Sequence, residues 1–172
     1  MREAEPIVNS RKFASGFLAV FLLAAGMVTV SSPSADAATP NCNTTVNIKP
    51  RAGLSYYMVI PKSSAANTVS CYMERGATGR EVRALQTTLA YCYNVPESNH
   101  GPNFGPGDID GVYGAKTAYA LWSVQLMIFP QRPSAHDGIY GPNTAAAIYF
   151  PWRNPNNDYI MSTCTWRNGD TR

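Results

Sequence analysis

The octapeptide DGVYGAKT at residues 110–117 recurs 27 positions later as DGIYGPNT at residues 137–144. The two copies share Asp, Gly, Tyr, Gly and Thr in the same register, and Val112 corresponds to Ile139. An Asp-Gly pair is typical of a tight turn, because glycine reaches positive φ and the carboxylate accepts hydrogen bonds from nearby backbone N–H groups. Pro142, after the second Gly, favours the first position of a helix. The repeat therefore predicts two turns that each lead into a helix, with structural roles for Asp110, Gly111, Gly114, Asp137, Gly138 and Gly141.

Apolar residues at helical spacing follow each copy of the octapeptide and also precede the first copy. One stripe predicts a helix that begins after Gly79, a second predicts a helix that runs to about Leu126, and a third predicts a shorter helix that Pro151 ends. The stripes consist of Val82, Leu85, Leu89 and Cys92, then Thr117, Ala120, Leu121 and Val124, then Thr144, Ala147 and Ile148. Their spacing is that of one helix face. The expected fold class is therefore all-α, a small domain of three helices over residues 76–150.

The order of these motifs resembles the peptidoglycan-binding domain of the three-helix type. The shared pattern reads GxxGxxVxxLQxxL at 76–89, DGxYGxxTxxA at 110–120, VQ at 124–125 and DGxYGPxT at 137–144. The chain departs from the family at Val124, where Phe is usual before Gln, and in its longer connection at 94–109. That connection is rich in Pro, Gly and Asn, which predicts an exposed loop that could reshape a binding groove. The resemblance implies a free-standing secreted bacterial protein with peptidoglycan as its ligand, the stem peptide being favoured over the glycan.

Six residues are candidate ligand contacts: Tyr113, Tyr140, Gln86, Trp122, Gln125 and Arg83. A tyrosine ring with its hydroxyl suits stacking on a sugar or holding a peptide. The family pattern repeats a glutamine after an apolar residue, and an arginine fork pairs with carboxylates such as those of a stem peptide. The residues alone leave structural roles open, namely core packing under each turn for the two tyrosines and a solvated helix face for Arg83.

The chain outside the helices divides into three further segments. Residues 1–37 have the parts of a secretory signal peptide: early basic residues, an apolar stretch at 17–30, and small residues before a cleavage near Ala37. The apolar stretch is too short for a helix that spans a membrane, which needs about 20 residues. Residues 38–75 form an N-terminal arm, in which β-prone runs at 44–48 and 56–60 predict a hairpin. Residues 151–172 form a C-terminal tail that we expect to be irregular.

All four cysteines, Cys42, Cys71, Cys92 and Cys164, follow the predicted signal peptide. An even number of cysteines in an exported chain with a small helical core predicts two disulfides. A bond between Cys71 and Cys92 is disfavoured, because the first helix would separate them by roughly 20 Å and a disulfide needs Cα atoms within about 7 Å. We favour Cys42 with Cys71 and Cys92 with Cys164.

Charge and composition limit the function classes. A formal net charge of +3 without basic runs does not favour a nucleic-acid partner. The two histidines, His100 and His136, lie in loop sequence, and no ligand spacing selects a metal, so we expect no metal and no cofactor. No motif selects a nucleophile or a carboxylate pair, so we do not expect an enzyme. The favoured function is non-catalytic peptidoglycan binding. The alternatives are a secreted protein-interaction module, such as an inhibitor or regulator of a wall protein, and a wall hydrolase with an unrecognised active site.

Overall fold

The computed structural model describes residues 38–49, 55–98 and 101–167, so the predicted signal peptide lies outside the described residues. The first element is the hairpin predicted in the N-terminal arm. Strand β1 (Thr44–Ile48) pairs antiparallel with β2 (Met58–Lys62), and Val46 lies opposite Ile60. The second strand begins two residues after the start of its predicted run. Because Met58 and Ile60 are fully buried, the hairpin packs one face into the core.

The three predicted helices are present. Helix α1 (Arg80–Thr88) continues into a π-helical turn (Leu89–Tyr93), and α2 (Ala115–Ile128) follows the first octapeptide. Helix α3 (Pro142–Ala147) follows the second octapeptide and has Pro142 at its first position. It ends at Ala147, before Pro151, because Ile148 is already extended and leads into a strand.

The prediction of an all-α fold with an irregular tail is wrong, since the fold is mixed α/β. Strand β3 (Phe150–Arg153) pairs antiparallel with β4 (Ile160–Thr165) to form a second hairpin. Pro151 is tolerated because β3 is an edge strand at this position, where its described strand partner is Cys164 of β4. Tyr57 and Arg153 exchange backbone hydrogen bonds of 3.1 and 2.7 Å, which join the second hairpin to the first. The arm and the tail therefore form one packed layer against the helices.

The described parts of the connection, 94–98 and 101–109, bury two side chains in the domain, although composition predicted an exposed loop. Val95 and Phe104 are buried, and the Phe104 N–H donates to the Val95 carbonyl over 2.8 Å. A short 3₁₀ turn (Pro106–Asp108) follows, and the Asp108 carboxylate pairs with Lys116 of α2. Burial of a Phe and a Val offsets the loss of chain entropy, so the described parts of this connection pack on the domain.

Both disulfides have the pairing favoured from the sequence. Cys42 is bonded to Cys71 and Cys92 to Cys164, and no described cysteine is free. The first bond fixes the arm, and the second ties β4 to the π-helical turn. The core between the helices and the hairpins contains Met58, Ile60, Val82, Leu85, Leu89, Phe104, Leu121, Val124, Ile148 and Phe150. Two disulfides are consistent with an oxidising environment such as that of a secreted protein. Across the described ranges, no helix is long and apolar enough to span a membrane.

Candidate functional site

The first Asp-Gly turn is held by Gln86 of α1. The Gln86 amide nitrogen donates to the Asp110 carboxylate over 2.8 Å and to the Val112 carbonyl and the Thr117 hydroxyl over 3.1 Å. The Gln86 oxygen accepts from the Gly111 N–H over 2.7 Å. Because Gln86 is buried, these bonds are protected from water. A single side chain therefore fixes the turn and the start of α2.

Gln125 of α2 holds the second turn in the same way. Its amide nitrogen donates to Asp137 over 2.9 Å, to the Ile139 carbonyl over 3.0 Å and to the Thr144 hydroxyl over 3.1 Å. Its oxygen accepts from the Gly138 N–H over 2.8 Å. The two octapeptides are therefore structural repeats, each clamped by a glutamine from the preceding helix. Gln86 and Gln125, two predicted ligand contacts, are buried and engaged in these clamps.

Glycine is required in both turns. Gly111 has φ +82° and Gly138 has φ +66°, in the left-handed region that other residues rarely adopt. A Cβ atom on Gly138 would lie 2.8 Å from the Ala118 carbonyl oxygen, and one on Gly111 would lie 3.3 Å from the Gly79 carbonyl oxygen. The second turn thus packs directly against the backbone of α2. This geometry gives both Asp-Gly pairs a structural part in their turns.

The prediction that Tyr113 and Tyr140 contact a ligand is corrected by their burial. Tyr113 is 1% exposed and Tyr140 is 0% exposed, so neither ring can stack on a sugar in the folded protein. The Tyr113 hydroxyl donates to the Gly138 carbonyl over 2.8 Å, which links the first repeat to the second. Burial raises the pKa of both hydroxyls far above the usual value, so both stay protonated. They are core residues, the alternative that the sequence left open.

Arg83 is exposed, but its guanidinium is already engaged. It donates to the Ile109 and Asp110 carbonyls, over 3.1 Å in each case. Bonds from Gln86 and the Val112 N–H lower the pKa of the Asp110 carboxyl, which stays ionised in the turn. Arg83 therefore supports the first turn, and a stem-peptide carboxylate would have to displace these two bonds to bind it.

A charged groove lies beside the second turn. It consists of two adjoining pockets of about 420 and 410 Å³, and Tyr72 lines both of them. The first contains Arg132, Ser134, Asp137 and Asn143, and the second contains Glu74, Arg75, Thr78 and Glu81. A hydrogen bond with Glu74 raises the pKa of the Tyr72 hydroxyl. Arg132 is exposed and its Cζ atom lies 4.9 Å from the centre of the Phe129 ring. Neither Arg132 nor Tyr72 belongs to a family motif, so the sequence offered no signal for them.

Trp122 is the predicted contact that reaches the surface beside an open cleft. It is partly exposed on α2, and its ring stacks with that of Tyr119 with centroids 5.8 Å apart. The cleft has a volume of about 260 Å³, and Val95 and Pro96 of the 94–109 connection line its other wall. The connection thus helps to shape this cleft, and its effect on a binding groove stays a prediction. The structure places Trp122 away from the turns, so the six predicted contacts do not form one site.

The described ranges contain no candidate metal-binding site. No group of three or more His, Cys, Asp or Glu side chains there could hold a metal ion. His136 forms a 2.8 Å hydrogen bond from Nε2 to the Phe129 carbonyl, whereas His100 lies outside the described residues.

No protein-family model matches the chain, and neither a curated protein nor a solved structure matches it significantly.

Proposed function

We propose that this protein is secreted and binds bacterial peptidoglycan through the charged groove without cleaving it. The motif order at 76–149 resembles that of the peptidoglycan-binding domain. In each octapeptide a glutamine from the preceding helix clamps the Asp-Gly turn, so the two repeats have equivalent structural roles. This equivalence supports the resemblance. The observation that carries the proposal is the position of the charged groove beside the second turn. Its mixed charge fits a stem peptide, which has both carboxylates and amines.

The groove offers separate partners for the two kinds of charge. In the described ranges the ion pairs are Lys116–Asp108 and Arg153–Asp158, so Arg132 forms no ion pair with a described carboxylate. Stacking against Phe129 orients the guanidinium while its N–H groups remain able to donate. Glu74 and Glu81, in the adjoining pocket, can accept from an amine. Two pockets of about 400 Å³ each lie within the usual size range of small-ligand sites.

Cleavage is not part of the proposal. All four cysteines are in disulfides, so the protein has no thiolate nucleophile. The Asp110 carboxylate is held by the turn that it stabilises. Binding alone is the activity that the groove supports best.

The test is co-sedimentation of the purified protein with insoluble peptidoglycan. Arg132→Ala should weaken binding by about tenfold or more, because a charge-assisted pair contributes about 1.5–3 kcal/mol. Arg80→Ala is the matched control, since Arg80 is exposed, lines neither pocket and carries the same charge. A soluble stem peptide should compete with the solid. Equal binding by the two variants would exclude the charged groove, and failure of the wild type to sediment would favour a protein partner.

A further inference from the structure

Three clefts on one side of the protein form a continuous surface, which we call the aromatic track. Their volumes are about 260, 390 and 400 Å³. Met127 lines all three, Tyr93 lines two, and Tyr149 lines two. Because the clefts share these lining residues, they lie next to one another along the surface. Such a surface suits an extended, oligomeric ligand.

Stacked aromatic pairs lie at the two ends of the track. Tyr119 and Trp122 stack at one end, and Tyr149 and Trp166 stack at the other with centroids 4.9 Å apart. Between them, Met127 is 55% exposed. Together with the rings on either side this side chain forms contiguous apolar surface, and such surface marks binding sites, whereas a single exposed apolar residue would not. The track therefore offers aromatic and apolar faces in a row.

The rings of the track are fixed by hydrogen bonds. Tyr119 shares one with Ser98, and the Trp166 indole N–H donates to the Ala147 carbonyl over 3.2 Å. The Tyr93 hydroxyl accepts from the Tyr149 N–H over 3.0 Å. The disulfide between Cys92 and Cys164 lines the central cleft. A preorganised surface loses little side-chain entropy when a ligand binds.

The track carries no charge. None of the residues that line its three clefts is Lys, Arg, His, Asp or Glu. The Ser123 oxygen is buried and has no hydrogen-bond partner among the described residues. This surface matches an uncharged ligand that has apolar faces, hydroxyls and amides. It contrasts with the charged groove, which fits ionised groups.

We propose that the aromatic track binds a strand of N-acetylated sugars. The C–H faces of pyranose rings pack on aromatic rings, acetyl methyl groups fill apolar clefts, and the sugar hydroxyls and amides bond to serine and tyrosine hydroxyls. The inference rests on the proposed function, because peptidoglycan contains such a strand with charged peptides attached to it. The protein then has separate surfaces for the two chemical parts of one polymer.

The test is titration of the purified protein with the β-1,4-linked tetramer of N-acetylglucosamine, followed by tryptophan fluorescence and calorimetry. Two of the three tryptophans line the track, so binding should shift the emission. Trp122→Ala should weaken binding by about fivefold or more through lost ring contact. Met127→Glu should do the same by placing a charge at the centre of the track, and its exposed position leaves folding intact. Tyr159→Ala is the control, because Tyr159 is 66% exposed and lines none of the three clefts.

The outcomes separate this inference from the proposed function. Arg132→Ala should bind the tetramer like the wild type. No binding of the tetramer, or binding unchanged in both Trp122→Ala and Met127→Glu, would overturn the glycan inference even if the protein sediments with peptidoglycan. Binding of the tetramer to the track without sedimentation would uphold the glycan inference and reject the proposed function. Equal binding of the unacetylated glucose tetramer would overturn the assignment to N-acetylated sugars.

Discussion

Substituting Gly138 by alanine should strongly destabilise the second turn. The new Cβ would lie 2.8 Å from the Ala118 carbonyl oxygen, a separation that real Cβ atoms essentially never show. The residue also has φ +66°, which strains any residue with a side chain. Left-handed backbone costs roughly 1–2 kcal/mol and overpacking a further 1–3 kcal/mol. We expect Gly138→Ala to lose about 2–4 kcal/mol of unfolding free energy.

Alanine substitutions at three other glycines should cause smaller losses of unfolding free energy. Gly111→Ala combines φ +82° with milder contacts at 3.2–3.3 Å, so its loss should be smaller. Gly76 has φ +99° and open space around it, so Gly76→Ala should cost only the backbone strain of about 1–2 kcal/mol. Gly107→Ala has neither strain nor contact and should be neutral or slightly stabilising.

Thermal unfolding of the four variants measures the series. At about 4 °C per kcal/mol for a domain of this size, Gly138→Ala should lower Tm by about 8–16 °C. The order of loss should be Gly138, Gly111, Gly76 and Gly107. A Tm for Gly138→Ala within about 2 °C of that for Gly107→Ala would refute the packing of the second turn on α2.

Removing either glutamine clamp should be costly, since Gln86→Leu or Gln125→Leu leaves buried N–H and C=O groups unpaired. Each should lose about 2–4 kcal/mol in urea unfolding, and wild-type stability would contradict the clamp. Acid should also destabilise the protein. A hydrogen bond from Lys116 lowers the pKa of Asp108 in the folded protein, and one from Gln86 lowers the pKa of Asp110. Both carboxylates therefore stabilise the folded protein above pH ~4, and this stabilisation is lost as the pH falls through their lowered pKa values. A flat Tm between pH 5 and pH 2 would count against this. Reduction should remove about 3.6 and about 4.4 kcal/mol from disulfides that span 29 and 72 positions. Detection of any other pairing by non-reducing peptide mapping would exclude these bonds.

Local chemistry made the turns and helix starts predictable. Asp-Gly pairs, Pro142 and apolar stripes act within a few residues, and the structure has turns and helices where they indicated. The length of one helix argued against Cys71–Cys92, and of the two pairings that remained the favoured one is present. The predicted hairpin in the arm was found with its second strand displaced by two residues.

The second hairpin was missed because its signals conflict. Pro151 and Pro155 are unfavourable for strands, and they led to the prediction of an irregular tail. The chain instead turns at 154–158, where the side chains of Asn154 and Asn157 accept hydrogen bonds from backbone N–H groups. An asparagine-rich turn followed by the run at 160–165 was the available signal.

The candidate site could be predicted only in part, because its contacts are distant in the sequence. Gln86 reaches a turn 24 residues away, so its role as a clamp could not be separated from a role in binding. Tyr113 and Tyr140 were chosen for their chemistry, but the turns direct both rings into the core. Trp122 lines a cleft whose other wall comes from Val95 and Pro96, more than 20 residues earlier in the sequence.

Sedimentation with insoluble peptidoglycan, combined with chemical assay of the supernatant, tests the central claim most directly. The purified protein should bind saturably and release neither reducing sugars nor free amines. Most of the binding should survive moderate salt, because a net charge of +3 gives little long-range attraction. Failure to sediment with peptidoglycan, or release of sugars or amines that persists after repurification, would contradict the account.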